Sequence, residues 1–358
     1  MTRALTAALA VVLALAGCAS APTGAAPSDQ VIALLLPESK TARYEAVDRP
    51  EFEKVVRDRC PECTVVYANA AQDAATQQQQ AESALTQGAG VLVLDAVDAA
   101  AAVSIVGQAH RRGVPVIAYD RFISDADLDY YVSFDSRRIG RYQGEALVRE
   151  LAAGRTGPDD PPQGVLMVNG AATDPNSAAL EAGVADAFAG EPIEILASYD
   201  TPDWSPDKAQ EWVTGQLTQY AGRVDAVYAA NDGTAGGAIS AMKAAGLDPV
   251  PPVTGQDAEL AAIQRIVTGD QSMTVYKAIG GQARTAAELA VRVLRGEVPV
   301  TTARVAGVPA LLLSPVPVTL DNLHRVIVDG GVYTTEEICV DPYTGACAAA
   351  GLLDGGAP

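Results

Sequence analysis

The sequence predicts an α/β protein made of two doubly wound lobes, each built on a parallel sheet. Apolar runs of strand length alternate with amphipathic helical stretches along most of the chain, which is typical of a parallel sheet with right-handed crossovers. The alternation stops in the Gly-, Pro- and Asp-containing segment 153–164 and then begins again. The chain has 358 residues, and single hydrophobic cores stop growing near about 250–300 residues. The sequence therefore predicts two similar lobes, one after the other along the chain.

The first series begins with Val31–Leu36, a continuous apolar run that is typical of a strand buried on both faces. Phe52, Val55 and Val56 recur at helical spacing after it. The remaining elements of this series are predicted as strands at Thr64–Tyr67, Val91–Asp95 and Val114–Tyr119, and as helices at Ala74–Gln87, Ala99–Arg112 and Ile139–Ala152.

The second series has its clearest element at Val224–Met242, where an apolar strand leads through a polar pair into a helix. The other elements are predicted as strands at Val165–Val168, Ile193–Ser198 and Val253–Gly255, and as helices near Ala178–Phe188 and at Lys208–Tyr220. A helix at Ile279–Arg295 and a strand near Leu311–Val318 remain to be shared between the two lobes.

The start of the chain predicts export. Arg3 precedes an apolar run that is too short to span a membrane and ends in small residues, so residues 1–17 are predicted to be a signal peptide. Leu15-Ala16-Gly17-Cys18 resembles the lipobox of bacterial lipoproteins, which predicts lipidation of Cys18. The alternative is ordinary secretion with an incidental cysteine. Residues 18–30, rich in Ala, Pro, Ser and Gly, are predicted to be a flexible tether.

Charge and cysteine content narrow the function further. The formal net charge of −19 argues against a nucleic-acid partner and against a strongly anionic ligand. In an exported protein the four remaining cysteines are predicted to form the disulfides Cys60–Cys63 and Cys339–Cys347. Metal binding by these cysteines and redox catalysis at the first pair are the alternatives. We expect no metal and no cofactor.

Polar and aromatic residues gather just after the predicted strands. Because the carboxyl ends of parallel strands meet at one edge of a sheet, both lobes can present these residues to a single cleft. Asn231 or Asp232 could instead only cap the following helix, and Asp120 with Arg121 could be a local ion pair. The strand-end residues are Arg43, Tyr44, Asp120, Arg121, Asp174, Asn176, Trp204, Asn231, Asp232, Gln256, Asp257 and Lys277.

This set of side chains suits a small neutral polyol. Charged and amide groups can bind sugar hydroxyls in pairs, while Trp204 and Tyr44 can stack on the C–H faces of a ring. An enzyme is not expected, because His110 and His324 are the only histidines and neither lies beside a candidate nucleophile in the sequence. A carboxylate pair such as Asp120 with Asp257 could in principle hydrolyse a glycoside, and this is the enzymatic alternative.

Four motifs give the chain a family resemblance. From about Val31 to Val328 it resembles the periplasmic sugar-binding proteins of ATP-binding-cassette importers, of type I fold and the ribose/xylose-binding cluster, most closely the D-xylose-binding group. The motifs are AYDRFISDADLDYYVSFD (118–135), ANDGTAGGAISAM (230–242), TGQDAELAAIQRIVTGDQSMTVYK (254–277) and TAAELAV (285–291).

The resemblance implies which residues bind a monosaccharide. Two positions depart from the family pattern: Tyr44 stands where relatives usually have Trp, and Pro175 separates Asp174 from Asn176. The family's ligand set, carried over to this sequence, consists of Arg43, Asp120, Arg121, Asn176, Asn231, Asp257 and Lys277 for hydroxyl groups, with Trp204 and Tyr44 for stacking.

The resemblance also implies a lobe division and a function. The lobes are expected at 31–135 with 278–307 and at 136–277 with 308–345, followed by a tail at 346–358. A multi-strand hinge would cross near Asp135, Lys277 and Val308. The expected function is a monomeric, lipid-anchored binding protein outside the cytoplasm that delivers D-xylose or a similar monosaccharide to a membrane permease. A sugar-sensing receptor without a transport role is the alternative. A transcriptional regulator of this fold would need a basic DNA-binding segment where the signal peptide stands.

Overall fold

The computed structural model describes residues 30–157 and 160–353. Twelve strands are formed in these ranges, and most of them coincide with the runs predicted above. They are β1 (Val31–Leu36), β2 (Thr64–Asn69), β3 (Ala89–Leu94), β4 (Val116–Tyr119), β5 (Tyr130–Phe134), β6 (Gln163–Asn169), β7 (Ile193–Asp200), β8 (Ala226–Ala229), β9 (Thr274–Tyr276), β10 (Ala303–Val305), β11 (Val308–Leu313) and β12 (Val316–Val318).

The helices alternate with these strands. They are α1 (Arg49–Arg59), α2 (Ala74–Thr86), α3 (Ala99–Arg111), α4 (Ser136–Gly154), α5 (Pro175–Phe188), α6 (Pro206–Gln219), α7 (Asp232–Ala244), α8 (Leu260–Thr268), α9 (Ile279–Leu294), α10 (Leu320–Leu323), α11 (Thr335–Ile338) and α12 (Thr344–Ala349). Three short turns are also helical: a π-helical turn at Tyr44–Asp48, a 3₁₀ turn at Pro202–Trp204 and a second π-helical turn at His324–Val328.

The N-terminal lobe is built on a seven-stranded sheet. Its strand order is β10-β11-β5-β4-β3-β1-β2, and every neighbouring pair is parallel except β10 with β11. Helices α1 and α9 cover one face of this sheet, and α2 and α3 cover the other. All six residues of β1 are buried, as the continuous apolar run predicts for a strand covered on both faces.

The C-terminal lobe has a smaller parallel sheet of order β7-β6-β8. Helices α4 and α5 pack on one face, and α6 and α7 on the other. The predicted strand at Val253–Gly255 forms only a single bridge, between Val253 and Val227. An antiparallel ribbon of β9 and β12 lies beside the sheet. The predicted class of two doubly wound α/β lobes is confirmed.

The chain crosses between the lobes three times, which forms the hinge. The first two crossings follow β5 at Asp135 and β9 at Lys277, where the sequence predicts them. The third prediction, at Val308, differs from the structure. Strand β11 pairs in parallel with β5 and therefore belongs to the N-terminal lobe, so the crossing lies between Leu313 and Val316. The single strand predicted near 311–318 is in fact parts of two strands, β11 and β12, which belong to different lobes. Ser314-Pro315 separates them.

The chain end also differs from the prediction of a tail at 346–358. Helix α12 and the residues after it pack against α8, and Cys347 and Leu352 are buried in that cluster. The Sγ atoms of Cys339 and Cys347 lie 2.14 Å apart, and those of Cys60 and Cys63 lie 1.99 Å apart, which is bonding distance in both pairs.

The predicted signal peptide, Cys18 and nearly all of the tether lie outside the described residues. Within the ranges that are described, no helix combines the length and apolar character that crossing a membrane would require.

Candidate functional site

A cavity between the lobes brings the predicted ligand-binding residues together. All nine of them line it, and the space between atoms there amounts to about 370 Å³, including the part open to solvent. The carboxyl ends of the strands in both sheets face this cavity, as the strand-end rule for open parallel sheets predicts. Its full lining is Thr41, Arg43, Tyr44, Asp120, Arg121, Ser136, Asp174, Asn176, Trp204, Asn231, Gln256, Asp257 and Lys277.

Charged side chains of opposite sign balance one another in this lining. It contains three cationic groups, of Arg43, Arg121 and Lys277, and three carboxyl groups, of Asp120, Asp174 and Asp257. A cavity with no excess charge favours a neutral ligand, because an ion would leave one charge uncompensated in a buried place.

Asp120 lies at the centre of the N-terminal lobe's contribution. It follows β4 and adopts a left-handed backbone conformation (φ 59°), which Asp tolerates better than most residues. Its Oδ2 atom accepts a hydrogen bond from Arg43 Nη1. Burial alone would raise the pKa of Asp120, but the positive charges of Arg43 and Lys277 outweigh burial and lower the pKa to about 2. The carboxylate is therefore an ionised acceptor throughout the physiological pH range.

Arg121 links the two lobes. Its Nε atom lies 2.9 Å from Asp174 Oδ2 of the C-terminal lobe and 3.4 Å from Asp95 Oδ1 of the N-terminal lobe. Its Nη1 donates to the carbonyl of Ala96 at 2.9 Å. Neither carboxylate oxygen of Asp95 has a hydrogen-bond partner among the described residues, and burial raises the pKa of Asp95 well above its ordinary value. Arg121 is the cation that compensates this buried acid.

Asn176 carries a contact across the cleft from the C-terminal lobe. It lies in the first turn of α5, where Asp174 caps the helix. Its Nδ2 donates to Asp120 Oδ1 at 3.1 Å, and its Oδ1 accepts from Ser136 Oγ at 2.9 Å. A hydroxyl group of a ligand could replace Asn176 as the donor to Asp120 without leaving either side chain unpaired.

Asn231 has both of the roles that the sequence left open, as a helix cap and as a residue of the cavity lining. Its Oδ1 accepts from the backbone N–H of Thr234 at 2.9 Å, so it caps α7, and it also lines the cavity. Asp232 does not line the cavity, contrary to the expectation for this polar pair. It is fully buried and accepts from Gln271 Nε2 at 2.8 Å, from Thr274 Oγ1 at 2.9 Å and from the backbone N–H of Glu259 at 2.9 Å.

Asp232 and Glu259 lie close together behind the cavity. Burial raises the pKa of Asp232 to about 7. The positive charge of Arg265 opposes this shift, and the negative charge of Asp257 reinforces it. Burial and the repulsion of Asp232 raise the pKa of Glu259 to about 8. Burial and mutual repulsion therefore raise the pKa of this pair of carboxyl groups as a unit above that of exposed acids.

Trp204 is held in place by the backbone opposite it. It lies in the 3₁₀ turn after β7, is only 5% exposed and has φ 54°. A Cβ atom on Gly170 would come within 2.1 Å of its ring, so only glycine allows the indole to lie there. The Nε1 atom of Trp204 has no partner among the described residues and is free to donate to a ligand. Tyr44, 4% exposed, is the other aromatic residue of the lining.

Asp257 and Lys277 form the third charged pair of the cavity. Lys277 Nζ lies 2.9 Å from Asp257 Oδ1, yet that oxygen makes no hydrogen bond of good geometry within the described chain. Asp257 has φ 95°, a conformation rare for residues other than glycine. Lys277 stands at the second crossing between the lobes. The pair is therefore close enough for charge compensation while an acceptor position remains open for a ligand.

Four residues of the lining are absent from the predicted ligand set. Asp174 and Gln256 follow predicted strands and were recognisable by that position. Thr41 and Ser136 gave no signal, because Ser136 becomes part of the site only through the first crossing and Thr41 only through the turn before α1.

Comparison with known proteins identifies relatives over most of the chain. Residues 32–297 match the family described as "periplasmic binding protein domain". The D-xylose-binding periplasmic protein of Escherichia coli is 33% identical over 317 residues, covering 86% of this chain and 92% of that protein. The protein of the same name from Haemophilus influenzae is 34% identical, covering 87% and 92%.

A solved structure agrees with these sequence relatives. The crystal structure of an ABC transporter solute binding protein from Clostridium phytofermentans, with bound β-D-glucose, superposes with a TM-score of 0.78 at 27% identity. The match covers 86% of this chain and all of that one.

Proposed function

Since the chain belongs to the periplasmic binding protein domain family, we propose that it is an extracytoplasmic receptor which captures one monosaccharide, with D-xylose as the first candidate, for an ABC importer. The observation that carries this proposal is the interlobe cavity, where balanced charges and two aromatic residues surround the site. The family is one of binding proteins, and the expectation that the chain is not an enzyme is confirmed.

The chemistry of the lining supports a sugar rather than another neutral molecule. Hydroxyl groups both donate and accept, so they can be satisfied by neighbouring carboxylate and guanidinium groups. The open oxygen of Asp257 and the free Nε1 of Trp204 are such positions within the described residues. We assign Arg43, Tyr44, Asp120, Arg121, Asn176, Trp204, Asn231, Asp257 and Lys277 as the ligand-binding residues.

D-xylose is favoured by the two relatives named for it, which share 33% and 34% of their aligned residues with this chain. The glucose-bound structure at 27% identity makes D-glucose the competing ligand. A pentose and a hexose differ by one hydroxymethyl group, so the space beside Tyr44 is where we expect the choice to be made. Tyr has a smaller ring system than Trp and adds a hydroxyl group.

Lobe closure supplies a mechanism for capture. Arg121 with Asp174 and Asp120 with Asn176 contact each other across the cleft, and an exposed pair, Lys40 with Asp203, lies 3.4 Å apart across the two lobes. A ligand that contacts both lobes binds the closed form better than the open form and therefore shifts the equilibrium towards closure. The closed form is the one that we propose a permease recognises.

The test is isothermal titration of the secreted protein carrying Cys18→Ser, which removes the proposed lipid, against xylose, glucose, arabinose, ribose and galactose. We expect one-to-one binding of xylose. The Asp257→Asn variant should weaken binding by about 2–4 kcal/mol, because a charged acceptor is lost. The Asp321→Asn variant, on the exposed side of α10 and outside the cavity lining, is the control and should bind normally. Absence of binding to every sugar would refute the proposed function.

Three further features of the sequence belong to this proposal. The receptor is proposed to be a monomer, and lipidation of Cys18 would hold it at the membrane. Cys18→Ser should therefore release it from the membrane fraction with unchanged sugar affinity. Disulfides at Cys60–Cys63 and Cys339–Cys347 suit the oxidising compartment, and full reduction should lower the melting temperature. Retention of Cys18→Ser at the membrane, or melting unchanged after reduction, would contradict the respective feature.

A further inference from the structure

The Arg43 guanidinium enters the cavity from a buried network that lies outside the predicted ligand set. We propose, on the basis of the sugar-binding function proposed above, that Asp48 and Gln282 are positioning residues that fix this guanidinium and leave it a single N–H for the ligand. Neither residue lines the cavity. Both act through Arg43, which does.

Asp48 holds two nitrogen atoms of Arg43 at once. Its Oδ2 accepts from Nε and its Oδ1 from Nη2, each at 2.9 Å, in the bidentate arrangement that orients a guanidinium best. Both side chains are almost completely buried, with exposed fractions of 3% for Arg43 and 1% for Asp48. Tyr119 donates its hydroxyl proton to Asp48 Oδ1 and so fixes the carboxylate in turn.

The π-helical turn explains why residues five positions apart can pair. The backbone N–H of Arg49 bonds to the carbonyl of Tyr44, five residues earlier, instead of the usual four. Residues three and four apart share a face of an α-helix, whereas residues five apart do not. The wider turn brings Asp48 back beneath Arg43, and π-helical turns of this kind are frequent at functional sites.

Gln282 supplies the remaining fixed acceptor. Its Oε1 accepts from Arg43 Nη2 at 2.8 Å, and its Nε2 donates to the carbonyl of Val132 at 3.2 Å. Gln282 is fully buried in the first turns of α9, which begins just after the crossing at Lys277. It therefore joins Arg43 to β5 and to the start of α9, which adjoin two of the three crossings between the lobes.

The donor count shows what remains for a ligand. A guanidinium has five N–H groups. The one on Nε and one on Nη2 go to Asp48, the other on Nη2 goes to Gln282, and one on Nη1 goes to Asp120. The second N–H on Nη1 has no acceptor among the described residues. Because the other four are engaged, the side chain is ordered before the ligand arrives, which lowers the entropic cost of binding.

The first experiment measures the guanidinium directly and needs no sugar. In the ¹⁵N NMR spectrum of the secreted protein, we expect separate, slowly averaging Nη signals for Arg43, assigned by their loss in Arg43→Lys. Gln282→Met, of similar volume, removes one of the four hydrogen bonds and should speed the exchange between these signals, and Gln282→Glu, which keeps the acceptor, should slow it again. Gln143→Met is the matched control. Gln143 is equally buried, on α4 of the other lobe, where it donates to the carbonyls of Ala229 and Gly255 at 3.1 Å.

Unchanged Arg43 signals in Gln282→Met would overturn the proposal, and so would equal averaging in Gln143→Met. Because this readout does not depend on a ligand, it decides the positioning role even if the titration refutes sugar binding.

The second experiment tests the functional consequence by a double-mutant cycle, with the sugar that the wild-type protein binds. Gln282→Met should weaken binding about tenfold, the size of an ordinary coupling between contacting residues. In an Arg43→Lys background the same change should have less than about a twofold effect, because lysine lacks the fork that Gln282 holds. An equal loss in both backgrounds would show that Gln282 acts on the fold in general and not through Arg43.

Discussion

The two lobes hold their halves of the site by different means. In the N-terminal lobe, Arg43 and Arg121 are each compensated by buried carboxylates, so ion pairs fix the side chains that face the ligand. In the C-terminal lobe, Asp257 and Lys277 form one ion pair, but two other side chains of the site are held by the backbone. Asn231 caps α7, and Trp204 packs against Gly170. The N-terminal half of the site should therefore be disturbed most by removal of a charge, and the C-terminal half by addition of a methyl group.

The largest effect should come from a charge removed in the N-terminal lobe. Arg121→Met leaves Asp95 and Asp174 buried without their cation, and the free energy of unfolding should fall by about 3–5 kcal/mol, as for other broken buried pairs. Chemical denaturation of the sugar-free protein measures this. Lys208→Met, which breaks an exposed pair with Glu211 at 3.0 Å, should change stability by less than about 0.5 kcal/mol. Similar losses in both variants would remove the distinction between the lobes.

A methyl group added in the C-terminal lobe should have the next largest effect. Gly170→Ala places a Cβ within 2.1 Å of the Trp204 ring, which has to shift from its position in the cavity lining. We expect the free energy of unfolding to fall by about 1–3 kcal/mol, the usual cost of overpacking, as measured by denaturation. Sugar affinity should fall as well, because the ring is displaced, and titration measures this. Gly215→Ala is the control, because the added Cβ would meet nothing within 4 Å on the exposed side of α6. Normal affinity in Gly170→Ala would mean that Trp204 is not held by this contact.

The smallest expected effect is the dependence of folding stability on pH, which distinguishes the buried acids of the two lobes. Burial raises the pKa of Asp232 to about 7 and of Glu259 to about 8, so the folded protein keeps protons that the unfolded chain loses above about pH 4–5. Stability should therefore fall gradually as pH rises from about 5 to 7.

Glu259→Gln should flatten this decline, and thermal melting across the pH range measures it. The charged and titratable groups facing Glu259 are Asp232, Asp257, Arg265 and Tyr333. In contrast, Asp120 in the N-terminal lobe is ionised over the same range, because its pKa is lowered to about 2. An identical slope in wild type and Glu259→Gln would place the titrating group elsewhere.

The sequence predicted the lobes and the cavity lining because one rule relates the two. Residues that follow strands of a parallel sheet meet at the sheet's edge, so Asp120 and Arg121 after β4 could be placed without any coordinates. The same rule places Asp257 and Lys277 near one another, although neither is adjacent to the other in the chain.

The network behind the site could not be predicted in this way. Asp48 pairs with Arg43 only because the intervening turn is π-helical, a conformation that no residue pattern announced. Gln282 lies inside an amphipathic helix, where a polar residue gives no sign of facing the sheet. The division of 311–318 between two lobes was hidden for a similar reason, since both halves of that run are apolar.

The three crossings also determine how many ways the lobes can move. A body attached at one point can swing and twist about three axes, but attachment at three neighbouring points, two of them bound to each other through β9 and β12, leaves one easy rotation. Opening and closing then follow a single coordinate. One pair of probes, at positions 40 and 203 on opposite sides of the cleft, would therefore follow opening and closing of the lobes as one distance.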